Sequence, residues 1–205
     1  MKFVTLWLSL VCIIFFIFQL IIPNFTDFFI LNSSSYAQPY RFITSIFLHG
    51  SFSHLIFNLF ALILFGLILE SLVGSKRFLM IFFVSGILAN LVSVNFYPSS
   101  LGASGAIYGI FGTLTIIRPL MTVWVFSLPM PMFFAAIIWI VLSIIGIFNP
   151  TDNTGHIAHL SGILFGFIFG IILKIKNKQQ RVKKEKIRIP EEYMQRWEDS
   201  WIVNR

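Results

Sequence analysis

The chain sets a few polar side chains among apolar ones, and their types and spacing could do acyl-transfer chemistry. His49 and His54 flank the start of one apolar segment, with Asn58 a turn beyond His54; Ser104 opens a second segment; His156 and His159 open a third. A serine at its free pKa is a poor nucleophile and needs an adjacent base, a task for which neutral imidazole is suited near pH 7. Ser104 and His159 fit those two roles. The oxyanion that develops needs donors held in place beforehand. His54 and Asn58, at i and i+4, project from one helix face, and the backbone N–H of Ser104 sits at a helix N-terminus whose dipole favours an anion. Gly102 and Gly105 flank the serine, and Tyr108, one turn below it, offers a ring for the imidazole to pack on. Asp152 falls in a loop and Glu70 near the far end of its segment, so the site reads as a Ser–His dyad. No cofactor is called for, and neither HExxH nor a cysteine cluster is available to hold a metal, since Cys12 is the sole cysteine.

The elements that must position these groups are membrane helices. The 205 residues are 57% hydrophobic and only 11% charged, with mean hydropathy +0.87, whereas a soluble domain carries about a quarter charged residues. Soluble enzymes, nucleic-acid-binding domains and disordered modules are thereby excluded, and nucleic acid with them as a partner. Six apolar segments, about 3–22, 52–71, 78–96, 104–117, 130–148 and 156–173, predict an all-α membrane protein with six transmembrane helices. An even number of spans puts both termini on one side. Lys2, Lys76, Arg77, Arg118 and a basic tail share that side and only Arg41 faces the other, so both termini are expected in the cytoplasm of a multi-pass protein of the cell membrane. Ten of the 15 Lys and Arg lie in residues 174–205. That division gives a membrane domain over 1–175 and a basic cytoplasmic tail over 176–205, suited to anionic lipid and ending in PEEYMQRWEDSW, a candidate short amphipathic helix. Residues 23–51 are expected as an external connection lying partly in the interface, and 118–129 as an interfacial connection.

Depth ties the polar groups together. At a rise of about 1.5 Å per residue, Ser104 stands ~21 Å above Arg118, His159 ~22 Å above Lys174 and Asn58 ~24 Å above Gly74. In a hydrocarbon slab about 30 Å thick that common plane lies some 6–9 Å beneath the external face. Gly162, Gly166 and Gly170 share a face with His159, from which His156 is rotated away, and Gly105, Gly109 and Gly112 form a stripe beside Ser104. Two such faces permit close helix contact.

HGSFSHLIFN (49–58), GASGAIYG (102–109) and AHLSGILFG (158–166) resemble, in order and spacing, the three signatures of the rhomboid family of intramembrane serine proteases. The resemblance covers about residues 36–173. It implies the six-helix rhomboid fold, Ser104 as the GxSG serine, His159 as the histidine followed by Gly at +3 and +7, and His54 and Asn58 as the HxxxN pair. It also implies structural parts for Tyr40–Arg41, His49 and Glu70. The activity implied is endoproteolysis of transmembrane protein substrates within or beside their spans; natural substrates and oligomeric state are not implied. A non-catalytic rhomboid-like factor that binds membrane proteins for quality control is the alternative, expected where Ser104 or His159 is replaced. A histidine-lined transporter would want polar groups along a path, whereas these gather at one level.

Overall fold

A computed structural model describes residues 3–149, 154–186, 191–193 and 195–196. Two compact units divide the chain, Met1–Ile171 and Ile172–Arg205. The first contains α1 (Val4–Ile21), α2 (Phe25–Phe29), α3 (Arg41–Thr44), α4 (Phe52–Val73), α5 (Ser75–Ser93), α6 (Ser104–Ile117), α7 (Met132–Ile147) and the start of α8 (His156–Lys186), with short strands β1 (Leu31–Asn32), β2 (Ser99–Ser100), β3 (Thr122–Val125) and β4 (Leu128–Pro131). In the second, α8 runs on to Lys186, and helical residues 191–193 and 195–196 carry an Arg196–Glu192 ion pair at 3.4 Å. Asp152 and most of the PEEYMQRWEDSW stretch fall outside the described residues.

Four described helices are long and apolar enough to cross a membrane: Val4–Ile21, Phe52–Val73, Ser75–Ser93 and the His156–Lys176 part of α8; α6 and α7 are apolar but shorter. The protein is therefore a multi-pass, mostly helical membrane protein. Beside the helices, two short antiparallel ribbons, β1–β2 and β3–β4, are built into it. The third segment starts earlier than expected, at Ser75 rather than 78. Gly74, at φ +82°, reverses the chain in one residue, so Lys76 and Arg77 belong to the first turn of α5 rather than to a loop.

Helix ends explain several buried polar groups. The first N–H groups of a helix have no intrahelical acceptor. For α1 the acceptor is the buried carboxylate of Glu70, near the end of α4, which receives Val4 N–H and Thr5 N–H at 3.0 Å, Thr5 Oγ1 at 2.8 Å and Ser75 Oγ at 2.6 Å. One carboxylate thus joins the starts of α1 and α5 to α4, and a negative charge there also suits the α1 dipole. Glu70→Ala is expected to cost about 3 kcal/mol, because it orphans buried donors as well as deleting charge-assisted bonds. An unchanged thermal unfolding midpoint in detergent would contradict this role.

The connection from α1 to α4 is held by side chains bonding to backbone, which periodicity does not reveal. Buried Arg41 donates from Nη1 to the carbonyls of Asp27 and Ile30, both at 2.8 Å, and from Nε to Gln38 Oε1 at 2.6 Å. Asn90 of α5 donates to Phe42 O at 2.8 Å and Ser45 Oγ at 3.0 Å. Leu31, Phe42 and Val94 close a small apolar core beneath the β1–β2 ribbon.

The connection between α6 and α7 is a hairpin. β3 pairs with β4 through Thr122–Pro131, Val123–Met130, Trp124–Pro129 and Val125–Leu128. Phe126 and Ser127 between them have φ 50° and 64°, the left-handed pair a two-residue type I′ turn demands. The hairpin lies back along α7: its tip residue Phe126 has its ring centroid 6.2 Å from that of Trp139, two turns into the helix.

Candidate active site

Ser104 is the first residue of α6, and ten of the fourteen residues of that helix are buried. α6 packs on α4, α5 and α7 and meets α8 through glycines. A Cβ on Gly162 would strike the carbonyl of Gly105, one on Gly166 the carbonyl of Gly109, and one on Gly112 would sit 3.2 Å from Gly166 Cα. Thr113 Oγ1 closes the contact by donating to Gly166 O at 3.1 Å. Backbone contact of this kind is what small residues permit inside a membrane. It brings α8 close enough for His159 Nε2 to lie 2.9 Å from Ser104 Oγ, across 55 residues of sequence.

The imidazole of His159 is buried and stacked on Tyr108, with centroids 4.2 Å apart and planes at 22°. The stack fixes the ring plane, so Nε2 can face the hydroxyl and accept its proton. His156 occupies a different place. Its ring lies against Gly146 of α7, where a Cβ could not fit, and stands edge-on to His159 at 6.0 Å.

His54 and Asn58, from α4, line the same cleft as the serine. Ser51 caps that helix by accepting from His54 N–H at 3.1 Å. Gly50 N–H donates to His54 Nδ1 at 3.3 Å; with Nδ1 an acceptor, a neutral ring carries its proton on Nε2. Nε2 lies over Gly102, where a Cβ would be 2.9 Å from it and 3.9 Å from Ser104 Oγ. Gly102 is needed twice, for this closeness and for its φ of +122°. Gly105 lets α6 approach α5, since a Cβ there would lie 2.9 Å from that of Ala89. Asn58 is buried; its Nδ2 gives one hydrogen to His54 O at 2.8 Å, leaving the second available.

His49 supports His54 from outside the helices. Its ring is 5.1 Å from that of His54, its Nδ1–H donates to Phe47 O at 3.2 Å, and its backbone is gripped by the Gln19 amide, which accepts from His49 N–H at 2.9 Å and donates to His49 O at 3.2 Å. Burial, aided by the neighbouring His54 and opposed by the hydrogen bond to the Phe47 carbonyl, pushes the His49 pKa down to about 4. Neither Gln19 nor Tyr97 was expected from the sequence. The Tyr97 hydroxyl accepts from Ile157 N–H at 3.1 Å in the first turn of α8, two residues from His159; no local pattern signals such a long-range cap.

Ser104, His159, His54, Asn58 and Tyr108 all line one cleft of about 1240 Å³, which continues along α4 to Ile68 and along β3. Among the described residues no cluster of His, Cys, Asp and Glu could hold a metal ion.

Comparison with known proteins gives this arrangement a family. The model of the Rhomboid domain matches residues 36–176. The chain is similar to the putative rhomboid protease YdcA of Bacillus subtilis, at 32% identity over 69% of this chain and 70% of that protein. It is similar also to the rhomboid protease GlpG of Haemophilus influenzae, at 29% identity over 82% and 90%. RHOMBOID-like protein 6, mitochondrial, of Arabidopsis thaliana is 36% identical over 66% of the chain, which spans less than half (44%) of that relative's length. With more than half of its residues inside the domain match, and its bacterial relatives named as proteases, the chain belongs to the rhomboid family.

Proposed function

We propose that the chain is an intramembrane serine endopeptidase that cleaves transmembrane protein substrates by a Ser104–His159 dyad. The observation that carries the reading is the 2.9 Å contact of His159 Nε2 with Ser104 Oγ. In the proposed mechanism His159 takes the hydroxyl proton as Ser104 Oγ attacks the scissile carbonyl carbon. The resulting oxyanion receives Ser104 N–H, the His54 Nε2–H and the second Asn58 Nδ2–H. Collapse breaks the C–N bond, His159 returns the proton to the departing amine, and an acyl-serine remains. Water, deprotonated by His159, then attacks that ester and releases Ser104.

The membrane frame proposed is a cell-membrane protein of six spans, with α6 and α7 completing the four longer helices and both termini cytoplasmic. Residues 1–175 form its membrane domain, and the basic stretch 176–205 meets the lipid surface. A helix of 14 residues rises only ~21 Å, so α6 starts inside a ~30 Å slab, and the cleft admits water to it. A bond in a stable transmembrane helix is already hydrogen-bonded and must unwind to reach Ser104, which Gly, Pro or polar residues ease. The test is a series of reconstituted substrates in which Gly or Pro just beyond the bond is replaced by Leu, with the cut mapped by mass spectrometry. Cleavage near the external end of the span that falls with each replacement is expected. A cut at the cytoplasmic end, or indifference to Leu, would overturn the depth and the unwinding argument.

Asn58→Ala is expected to lower kcat by ~10²–10³ with little change in KM, because an oxyanion donor acts only in the transition state. A mutant altered chiefly in KM would move Asn58 to substrate binding.

A further inference from the structure

The hairpin between α6 and α7 carries an edge that its own sequence leaves open on one side and closes on the other. Met132 N–H bonds to Met121 O at 2.8 Å, which makes Met121–Met132 a hydrogen-bonded pair of the ladder. Such pairs alternate, so Val123–Met130 and Val125–Leu128 are bonded across the hairpin, while Thr122, Trp124, Pro129 and Pro131 turn their main-chain groups outward. On β4 the two outward residues are prolines, which have no N–H to offer; this is the usual way of blunting an edge. On β3 the outward residues, Thr122 and Trp124, keep both N–H and C=O.

The open edge is on the cleft side. Thr122, Val123, Trp124 and Val125 line the cleft that holds Ser104 and His159, and no β4 residue does. The segment 119–133 contains no charged residue, and the hairpin lies back along the first two turns of α7, at the depth of apolar helix. Unpaired N–H and C=O groups are tolerated in the bilayer only where they face protein or a wet cavity. A substrate span unwound at the scissile bond has the same deficit, with its backbone donors and acceptors stripped of helical partners.

We propose that β3 is a docking edge on which the unwound substrate adds a strand, pairing with the outward main-chain groups of Thr122 and Trp124. The proposal rests on the proteolytic reading of Ser104 and His159. α6 descends ~21 Å from Ser104 to the hairpin base, and the four-residue strand climbs back ~10 Å or a little more. At ~3.3 Å per extended residue the edge meets substrate about three to six residues beyond the scissile bond, toward the Arg118 end of the cleft. Strand addition takes affinity from main-chain bonds and tolerates many side chains, which suits a site that receives apolar spans of differing sequence.

The experiment is an N-methyl scan. A synthetic transmembrane substrate carries one N-methylated residue at a time over the six positions past the cut, and the wild-type protein in proteoliposomes cleaves each. A strand presents alternate N–H groups to its neighbour, so cleavage should fall tenfold or more at every second position and little between them. Loss at consecutive positions, or at none, overturns the docking edge. The second arm is Trp124→Pro, which deletes an outward donor without touching a ladder bond. It should lower cleavage of the unmodified span about tenfold and flatten the alternation, while a small fluorophosphonate still labels Ser104 and reports an intact site. An alternation that persists in that variant overturns the proposal. If Trp124→Pro is not labelled, the wild-type scan alone decides. Wild-type protein that cleaves no unmodified substrate refutes the proteolytic reading instead, a result separable from a flat scan.

Discussion

Ser104→Ala is expected to abolish cleavage of a reconstituted transmembrane substrate, a fall of ~10⁴ or more, since loss of a nucleophile leaves only binding and oxyanion stabilisation. The hydroxyl sits at the start of a buried helix whose packing is made by Gly105, Gly109 and Gly112 rather than by the serine. The variant should therefore unfold at the wild-type temperature, and product analysis of folded, reconstituted protein is the check. Turnover within tenfold of wild type would remove Ser104 from the chemistry.

His159→Ala should be as damaging as Ser104→Ala, and the double variant no worse than either, because residues that act as one unit are not additive. His156→Ala is the matched comparison. It lies one turn away on the same helix, yet its ring faces Gly146 of α7 rather than Ser104. Most of the activity should survive there. If His159→Ala keeps its turnover and His156→Ala loses it, the register of α8 has been assigned to the wrong histidine. The two losses multiplying in the double variant would show instead that Ser104 and His159 work separately.

The long elements were legible because lipid imposes them: an apolar run of some 20 residues has few alternatives to a helix. The approach of Ser104 to His159 was legible for a related reason. Equal depth and glycine faces at four-residue spacing constrain two helices without any knowledge of their side-chain rotamers. What was hidden depends on single contacts between distant residues. Glu70 could be marked as structural by resemblance, but not as the acceptor for the first turn of α1. Lys76 and Arg77 looked like a loop because charge usually ends a span, whereas Gly74 turns the chain so tightly that they sit inside α5. The β3–β4 hairpin departs from the interfacial connection expected over 118–129 and the helix expected from 130, in a stretch that holds Pro129 and Pro131. They are accommodated here because both occupy outward positions where no ladder bond is lost. Thr-Val-Trp-Val, a run of β-branched and aromatic residues, is the local signal for β3.

Activation of Ser104 as a nucleophile by His159 is read out by fluorophosphonate labelling of the purified chain, with the adduct located by mass spectrometry. One adduct is predicted, on Ser104, absent in Ser104→Ala and formed at least a hundredfold more slowly in His159→Ala. An adduct on another serine, or labelling of Ser104 at an undiminished rate without His159, would contradict the account.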